Sequence, residues 1–301
     1  MQKFASILLK KKSEKILEDI PVELTSIIKI PITIPPNTSI LEARDIMLRH
    51  RIGRLVIEFG KKPVGIITEK DLAKSVSIFS GKPIGKILVV DVMSKDLVTV
   101  PLSASIYDCA RLMKKHGISS VVVVNNKKKL IGIVTKTDLV STFLVQSTAS
   151  LKISKIMTKK VITVSPDESI FEVESVLFNN KIRRLVVTKN NSPVGIITYR
   201  DFIPAKTFDV FKEFTDPSER AEIAQSSHIN EFNVNRLSYL LTFSARDIMT
   251  KNPFVVSPDA VVYVAAILMI RHGISGIPVI KNEKLVGIVT KTDIVNVLAE
   301  V

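Results

Sequence analysis

Gly132-Ile-Val-Thr-Lys-Thr-Asp138 returns letter for letter as Gly287-Ile-Val-Thr-Lys-Thr-Asp293. Two further stretches, Gly65-Ile-Ile-Thr-Glu-Lys-Asp71 and Gly195-Ile-Ile-Thr-Tyr-Arg-Asp201, keep the glycine, threonine and aspartate at the same spacing. An apolar run that ends four times in one signature means that a single supersecondary unit has been multiplied. The interval before the fourth copy is the longest. The chain is therefore four repeats with an insertion between the third and the fourth.

Outward from each signature the repeats stay in phase. Toward the N-terminus lies a short predicted strand closed by proline: Ile32–Pro35, Val98–Pro101, Val161–Pro166 and Phe254–Pro258. A helix follows, with one apolar stripe at helical spacing: Ile40/Ala43/Met47, Ile106/Cys109/Met113, Ile170/Val173/Leu177 and Val262/Ala265/Met269. In repeats two and four it ends in His116-Gly117 and His272-Gly273, a basic last turn followed by a C-cap glycine. Two apolar strands come next, such as Val121–Val124 and Leu130–Val134 about the turn residues Asn125 and Asn126. The second helix opens at the signature threonine. Each unit reads β-α-β-β-α, an α/β fold.

That order, with the endings GIITEKD, GIVTKTD, GIITYRD and GIVTKTD, resembles the CBS motif, named after cystathionine β-synthase, over nearly all of the chain from about Ile20 to Glu300. The resemblance implies that motifs pack sheet to sheet as pseudo-twofold pairs. It also implies clefts for adenosine-containing ligands: AMP, ADP or ATP, as in the γ subunit of AMP-activated kinase, or alternatively S-adenosylmethionine. Repeats two and four share His-Gly-Ile-Ser, at His116 to Ser119 and His272 to Ser275. Repeats one and three share Pro-Val-Gly-Ile-Ile-Thr, at Pro63 to Thr68 and Pro193 to Thr198, and an Arg-Leu-Val step at Arg54 and Arg184. Duplication of an ancestral pair explains this alternation. It predicts one pair within 1–146, with motifs at about 20–78 and 86–145, and another within 147–301, with motifs at about 151–208 and 244–301.

Composition agrees. At 301 residues the chain can fill two compact domains. Its longest apolar stretch, Ala260–Ile270, is little more than half the roughly twenty residues of a membrane-spanning helix. The run Phe4–Leu9 is too short for a signal-peptide core and meets Lys10-Lys11-Lys12, so a soluble, cytoplasmic protein is expected. The single Cys109 lies on a helix stripe and reads as a small core residue; no Cys/His cluster suggests a metal or cofactor. No Walker-type loop or nucleophile constellation occurs, and the repeats occupy nearly the whole chain. The expectation is a regulatory module without catalysis, read out by a partner protein, as a one-chain disc or a homodimer. A net charge of +14 adds weak nucleic-acid binding as a second reading, which the absence of Trp disfavours. The insert, about 209–243 within a departure beginning near Pro204, is acidic. It reads as a turn and short helix forming a spacer or partner-binding element.

Thr-x-x-Asp ahead of a helix has two chemistries. It is a capping box, in which the pair satisfies backbone N–H groups. It also presents a carboxylate able to accept both hydroxyls of a ribose. The family resemblance implies ribose binding by Asp71, Asp138, Asp201 and Asp293, and ribose or phosphate contacts by Thr68, Thr135, Thr198 and Thr290. It implies further contacts from Thr33, Thr99 and Thr163 on the first strands, where repeat four carries Val255. Phosphate would fall to Arg54, Arg183, Arg184, His116 and His272, the arginines offering planar forks that match its oxygens.

Overall fold

A computed structural model describes residues 23–78, 84–146, 151–206 and 243–300. Repeat one is β1 (Thr33–Ile34), α1 (Ile40–Arg49), β2 (Arg54–Phe59), β3 (Lys62–Thr68) and α2 (Glu69–Ile78). Repeat two adds a short leading α3 (Val89–Val92), then β4 (Thr99–Pro101), α4 (Ile106–His116), β5 (Ser120–Val124), β6 (Leu130–Thr135) and α5 (Lys136–Gln146). Repeat three is β7 (Thr163–Val164), α6 (Ile170–Asn179), β8 (Arg184–Lys189), β9 (Ser192–Thr198) and α7 (Tyr199–Lys206). Repeat four has α8 (Ala245–Ile248), β10 (Thr250–Lys251), α9 (Val262–Arg271), β11 (Gly276–Lys281), β12 (Lys284–Thr290) and α10 (Lys291–Leu298). The expected short helix at Glu222–Ala224 lies outside the described residues.

The β-α-β-β-α order holds, and each first strand runs parallel to the second while the third returns antiparallel. Every stripe residue named from helical spacing is buried. Repeat four departs at its first strand, which shrinks to a single bridge, Val256 with Val279. The cause is Pro278. In repeats one and two the corresponding Val56 and Val122 donate their N–H to Ile32 and Val98, and proline has no N–H to give. Three of the hairpins turn on consecutive residues with positive φ, Gly60-Lys61, Asn190-Asn191 and Asn282-Glu283, the backbone twist that suits a two-residue loop.

Repeats associate by exchanging the segments that lead into them. Lys29, ahead of repeat one, bridges Ile133 of repeat two, and Ser94, ahead of repeat two, bridges Ile66 of repeat one. The same exchange joins the others: Thr158 bridges Ile288, and β10 pairs with β9 at Ile196 and Gly195. This exchange explains the signature glycines. Met93, Ile28, Met249 and Met157 lie directly over Gly65, Gly132, Gly195 and Gly287, where a Cβ would overlap them. At Gly132 the added atom would also meet the Lys29 carbonyl at 2.8 Å, a neighbour held by the strand bridge and unable to swing aside.

Helices join the repeats in the other direction. α4, α5, α9 and α10 of repeats two and four share one apolar core that includes Phe143, Leu139, Met269 and Leu298. Repeats one and three meet along α2 and α7, where Ala73 enters the repeat-three core and Arg200 Nε donates to Glu69 Oε1 at 2.6 Å. No helix among the described residues is long and apolar enough to cross a membrane. Gly132→Ala should lower stability by about 1–3 kcal/mol, the size of an overpacking penalty. Gly85→Ala, where a Cβ would make only an ordinary 3.6 Å contact with Leu41, serves as the control. Equal urea midpoints for the two variants would contradict the role given to the signature glycine.

Candidate functional site

Each signature builds the same cap. The aspartate Oδ2 accepts both the backbone N–H and the hydroxyl of the threonine three residues earlier, at 2.6–2.9 Å in all four repeats. Capping thus engages Oδ2 in each repeat, and at Asp138 the other oxygen, Oδ1, meets a different partner, Lys29 Nζ. Capping and ligand binding are then compatible in one residue. Burial raises the pKa values of Asp201 and Asp293, against the opposing pull of their cap bonds.

Between the caps the structure gathers cations from all four repeats. Arg54 Nη1 donates to the Ser119 carbonyl at 2.9 Å, tying repeat one to repeat two. Arg183 Nη2 reaches the Gly117 carbonyl at 2.9 Å, and Arg184 Nη2 reaches Ser275 Oγ at 3.0 Å. Lys136 and Lys291, the fifth residues of the two identical signatures, cross reciprocally: Lys136 Nζ donates to Thr292 Oγ1 at 2.8 Å, and Lys291 Nζ to Thr137 Oγ1 at 3.0 Å. Both lysines are buried. Arg184 lies so close to the β11 backbone that a side chain at Gly276 would overlap its guanidinium.

Such crowding has an electrostatic cost. Burial, then Arg183 and Arg184, bring Lys136 down to about 8. Burial, then Arg184 and Arg54, bring Lys291 down to about 8. Burial and Arg183 lower both Arg54 and Arg184 to about 10, so the guanidinium groups remain charged at neutral pH. Two buried polar atoms lack a hydrogen-bond partner among the described residues, Arg184 Nη1 and Tyr199 Oη. A buried orphan donor is expensive and asks what acceptor belongs there.

Of the residues named from sequence, Arg54, Arg183 and Arg184 thus come together, within electrostatic range of Asp138, Asp71 and Asp293. Thr33, Thr99 and Thr163 are exposed, each just before a buried strand residue, as is Val255 in repeat four. His116 is exposed at the end of α4, one residue before the carbonyl that Arg183 holds. His272 is exposed too and stacks on Phe254 with ring centroids 4.2 Å apart. Sequence reasoning missed Lys136, Lys291 and Gly276. The signal for the lysines was present, since both identical signatures carry Lys directly after the threonine.

The comparisons with known proteins agree with this architecture. Residues 22–78, 89–144, 153–206 and 245–300 each match the CBS domain, so the chain belongs to the CBS domain family. It is 28% identical over 274 residues to protein MJ1404 of Methanocaldococcus jannaschii, covering 89% of this chain but only 60% of that protein. It is 25% identical to protein MJ1225 of the same organism over 284 residues, 89% of this chain and 95% of that one. The crystal structure of MJ1225, described as a proposed archaeal homologue of g-AMPK, superposes with a TM-score of 0.76 over 91% of this chain and 99% of that one, at 22% identity. A conserved protein from Pyrococcus horikoshii does so with a TM-score of 0.60, covering 92% of this chain and all of the other, at 20% identity.

Charge burial at the centre predicts a pH-dependent stability whose sign is fixed. Both lysines have folded pKa values below their ordinary 10.5, so the unfolded chain binds more protons. The penalty is fully present below about pH 8 and is relieved as pH rises toward 10.5. Without ligand, Lys136→Met with Lys291→Met should melt several degrees higher at pH 7, at roughly 2–4 °C per kcal/mol for a domain of 150–250 residues. The gap should be much smaller at pH 10. Thermal scans at both pH values check this, and a gap independent of pH would contradict it.

Proposed function

We propose that the protein is a non-catalytic regulatory sensor whose clefts bind adenine nucleotides, with ribose on the signature aspartates and phosphate toward the central cations. The observation that carries this reading is the convergence of Arg54, Arg183, Arg184, Lys136 and Lys291 beside the signature carboxylates, with Arg184 Nη1 buried and unpartnered among the described residues. A phosphate supplies acceptors for that fork and offsets the mutual repulsion of the cations. A sulfonium ligand such as S-adenosylmethionine would bring another positive charge to the same place. The cation cluster therefore favours AMP, ADP or ATP over it.

In this reading the functional units are the pairs within 1–146 and 147–301. Exchange of leading segments between repeats one and two, and between three and four, supports that division. Ligand-dependent signalling follows from differential affinity between arrangements of the pairs, the only means by which a ligand shifts such an equilibrium. Lys136–Thr292, Lys291–Thr137, Arg183–Gly117 and Glu69–Arg200 are polar links between the pairs, among the described residues, that occupancy would perturb.

Calorimetric titrations with adenosine, AMP and ATP test the reading. The phosphorylated ligands should bind more tightly, and Arg184→Ala should shrink that advantage. Near pH 8 the two lysines are about half protonated, and an anion beside them favours the charged form. AMP should therefore bind with uptake of protons, seen as an enthalpy that varies with the ionisation enthalpy of the buffer; adenosine should not. Equal affinities for adenosine and AMP, with no proton uptake, would overturn the assignment of phosphate to the centre.

A further inference from the structure

The four signature sites differ in the residue that crosses each of them. The leading segment of each repeat crosses the third strand of its partner repeat, and the residue bridging the isoleucine after the signature glycine is Lys29, Ser94, Thr158 or Thr250. Three of these are short hydroxyl residues. Lys29 alone can reach the cap, and Lys29 Nζ lies 2.6 Å from Asp138 Oδ1. Its backbone is fixed in place, since Lys29 N–H donates to the Ile133 carbonyl at 3.1 Å and Ile133 N–H donates back at 2.8 Å. The two ends of the ion pair are unlike: the Asp138 side chain is 3% exposed and that of Lys29 is 66% exposed.

These facts define what a ligand must do at this cleft. Asp138 Oδ2 already accepts two bonds from Thr135, so Oδ1 is the oxygen left for an incoming hydroxyl. The Lys29 ammonium holds that oxygen. A ribose diol can take Oδ1 only by displacing or sharing a charged donor, and a neutral nucleoside offers the displaced ammonium nothing in return. A nucleotide offers its phosphate. Because Lys29 is mostly exposed, with a flexible four-carbon stem, it can swing from carboxylate to phosphate while its backbone stays bridged.

We propose that Lys29 is a latch on Asp138 that makes this cleft discriminate against ligands lacking an anionic group more strongly than those of Asp71, Asp201 and Asp293 do. The inference rests on the nucleotide-binding reading and adds to it a difference in selectivity among the four clefts.

The test is a mutant cycle on the full chain, titrated calorimetrically with adenosine and with AMP: wild type, Lys29→Met, Asp138→Asn and the double variant. Lys29→Met should tighten adenosine binding at one cleft by roughly fivefold, the equivalent of about 1 kcal/mol of partly exposed ion pair, and should lower the preference for AMP there. The effect should vanish in the Asp138→Asn background. Lys29→Arg, which keeps the charge and the backbone bridge, should retain the wild-type preference and separates the latch from any loss of folding. Binding that is present but unchanged by Lys29→Met would overturn the latch and leave the nucleotide reading standing. Absence of binding by either ligand to wild type and to Lys29→Met would overturn both.

Discussion

The architecture depends on the close crossing of a leading segment over the glycine of its partner's third strand. A strand bridge between two chain segments needs backbones near enough to hydrogen-bond, and the side chain of the crossing residue must fit in the remaining gap. Met93, Met249, Met157 and Ile28 fit only because Gly65, Gly195, Gly287 and Gly132 have no Cβ. The exchange has a further effect: no repeat is complete alone, since the segment covering its sheet belongs to its neighbour. Gly-x-x-Thr-x-x-Asp is therefore a compound signature. Its first residue admits the partner, and its last two cap the helix that follows.

Once repeats are joined in this way, the placement of charge follows. The caps open α2, α5, α7 and α10, and helices of repeats one and three meet as do those of repeats two and four. Residues flanking the caps are thereby drawn toward one another from different parts of the chain. Lys136 and Lys291 meet the hydroxyls of each other's repeats, and Arg54 and Arg184 enter from the starts of the facing strands. Burying like charges opposes folding unless they are compensated, and the carboxylates of the caps supply part of that compensation. The same residues thus contribute to helix stability, to the electrostatic balance of the interior and, in the reading proposed above, to the ligand.

Much of this was legible in the amino-acid order because the fold is periodic at two levels. Helix stripes such as Ile106/Cys109/Met113 and strand runs such as Val121–Val124 report burial directly, and fourfold recurrence reports the unit. What escaped the reading has a common physical character: it depends on a partner distant in sequence. Pro278 is an unremarkable residue of an apolar run until its missing N–H removes a bond to the first strand of repeat four. Gly276 resembles its counterpart Ser120 in size, and its necessity comes only from the guanidinium of Arg184 lying across it. Lys136 and Lys291 sit next to residues that were singled out, yet lysine near a helix start usually points to water. Only the approach of repeats two and four makes these two lysines interior. Lys29, four residues before Thr33, belongs to no motif at all.

The two helical interfaces are not equivalent, and the difference bears on how such a molecule could respond to a ligand. Repeats two and four share one continuous apolar core, in which Phe143, Leu139 and Leu298 are fully buried. Among the described side chains, repeats one and three meet through Ala73, the Glu69–Arg200 ion pair and the neighbourhood of Tyr199, whose buried hydroxyl is unpartnered among the described residues. Separating the first interface exposes a large apolar area. Among the described side chains, separating the second breaks a partly exposed ion pair of small net value, withdraws Ala73 from the repeat-three core and frees a hydroxyl for solvent. A perturbation at the central cations reaches both interfaces, through Lys136 and Lys291 on one side and Arg183 on the other. Because the costs carried by the described side chains are unequal, any displacement should be taken up at the interface of repeats one and three. The apolar half would then act as the fixed body against which that displacement is read.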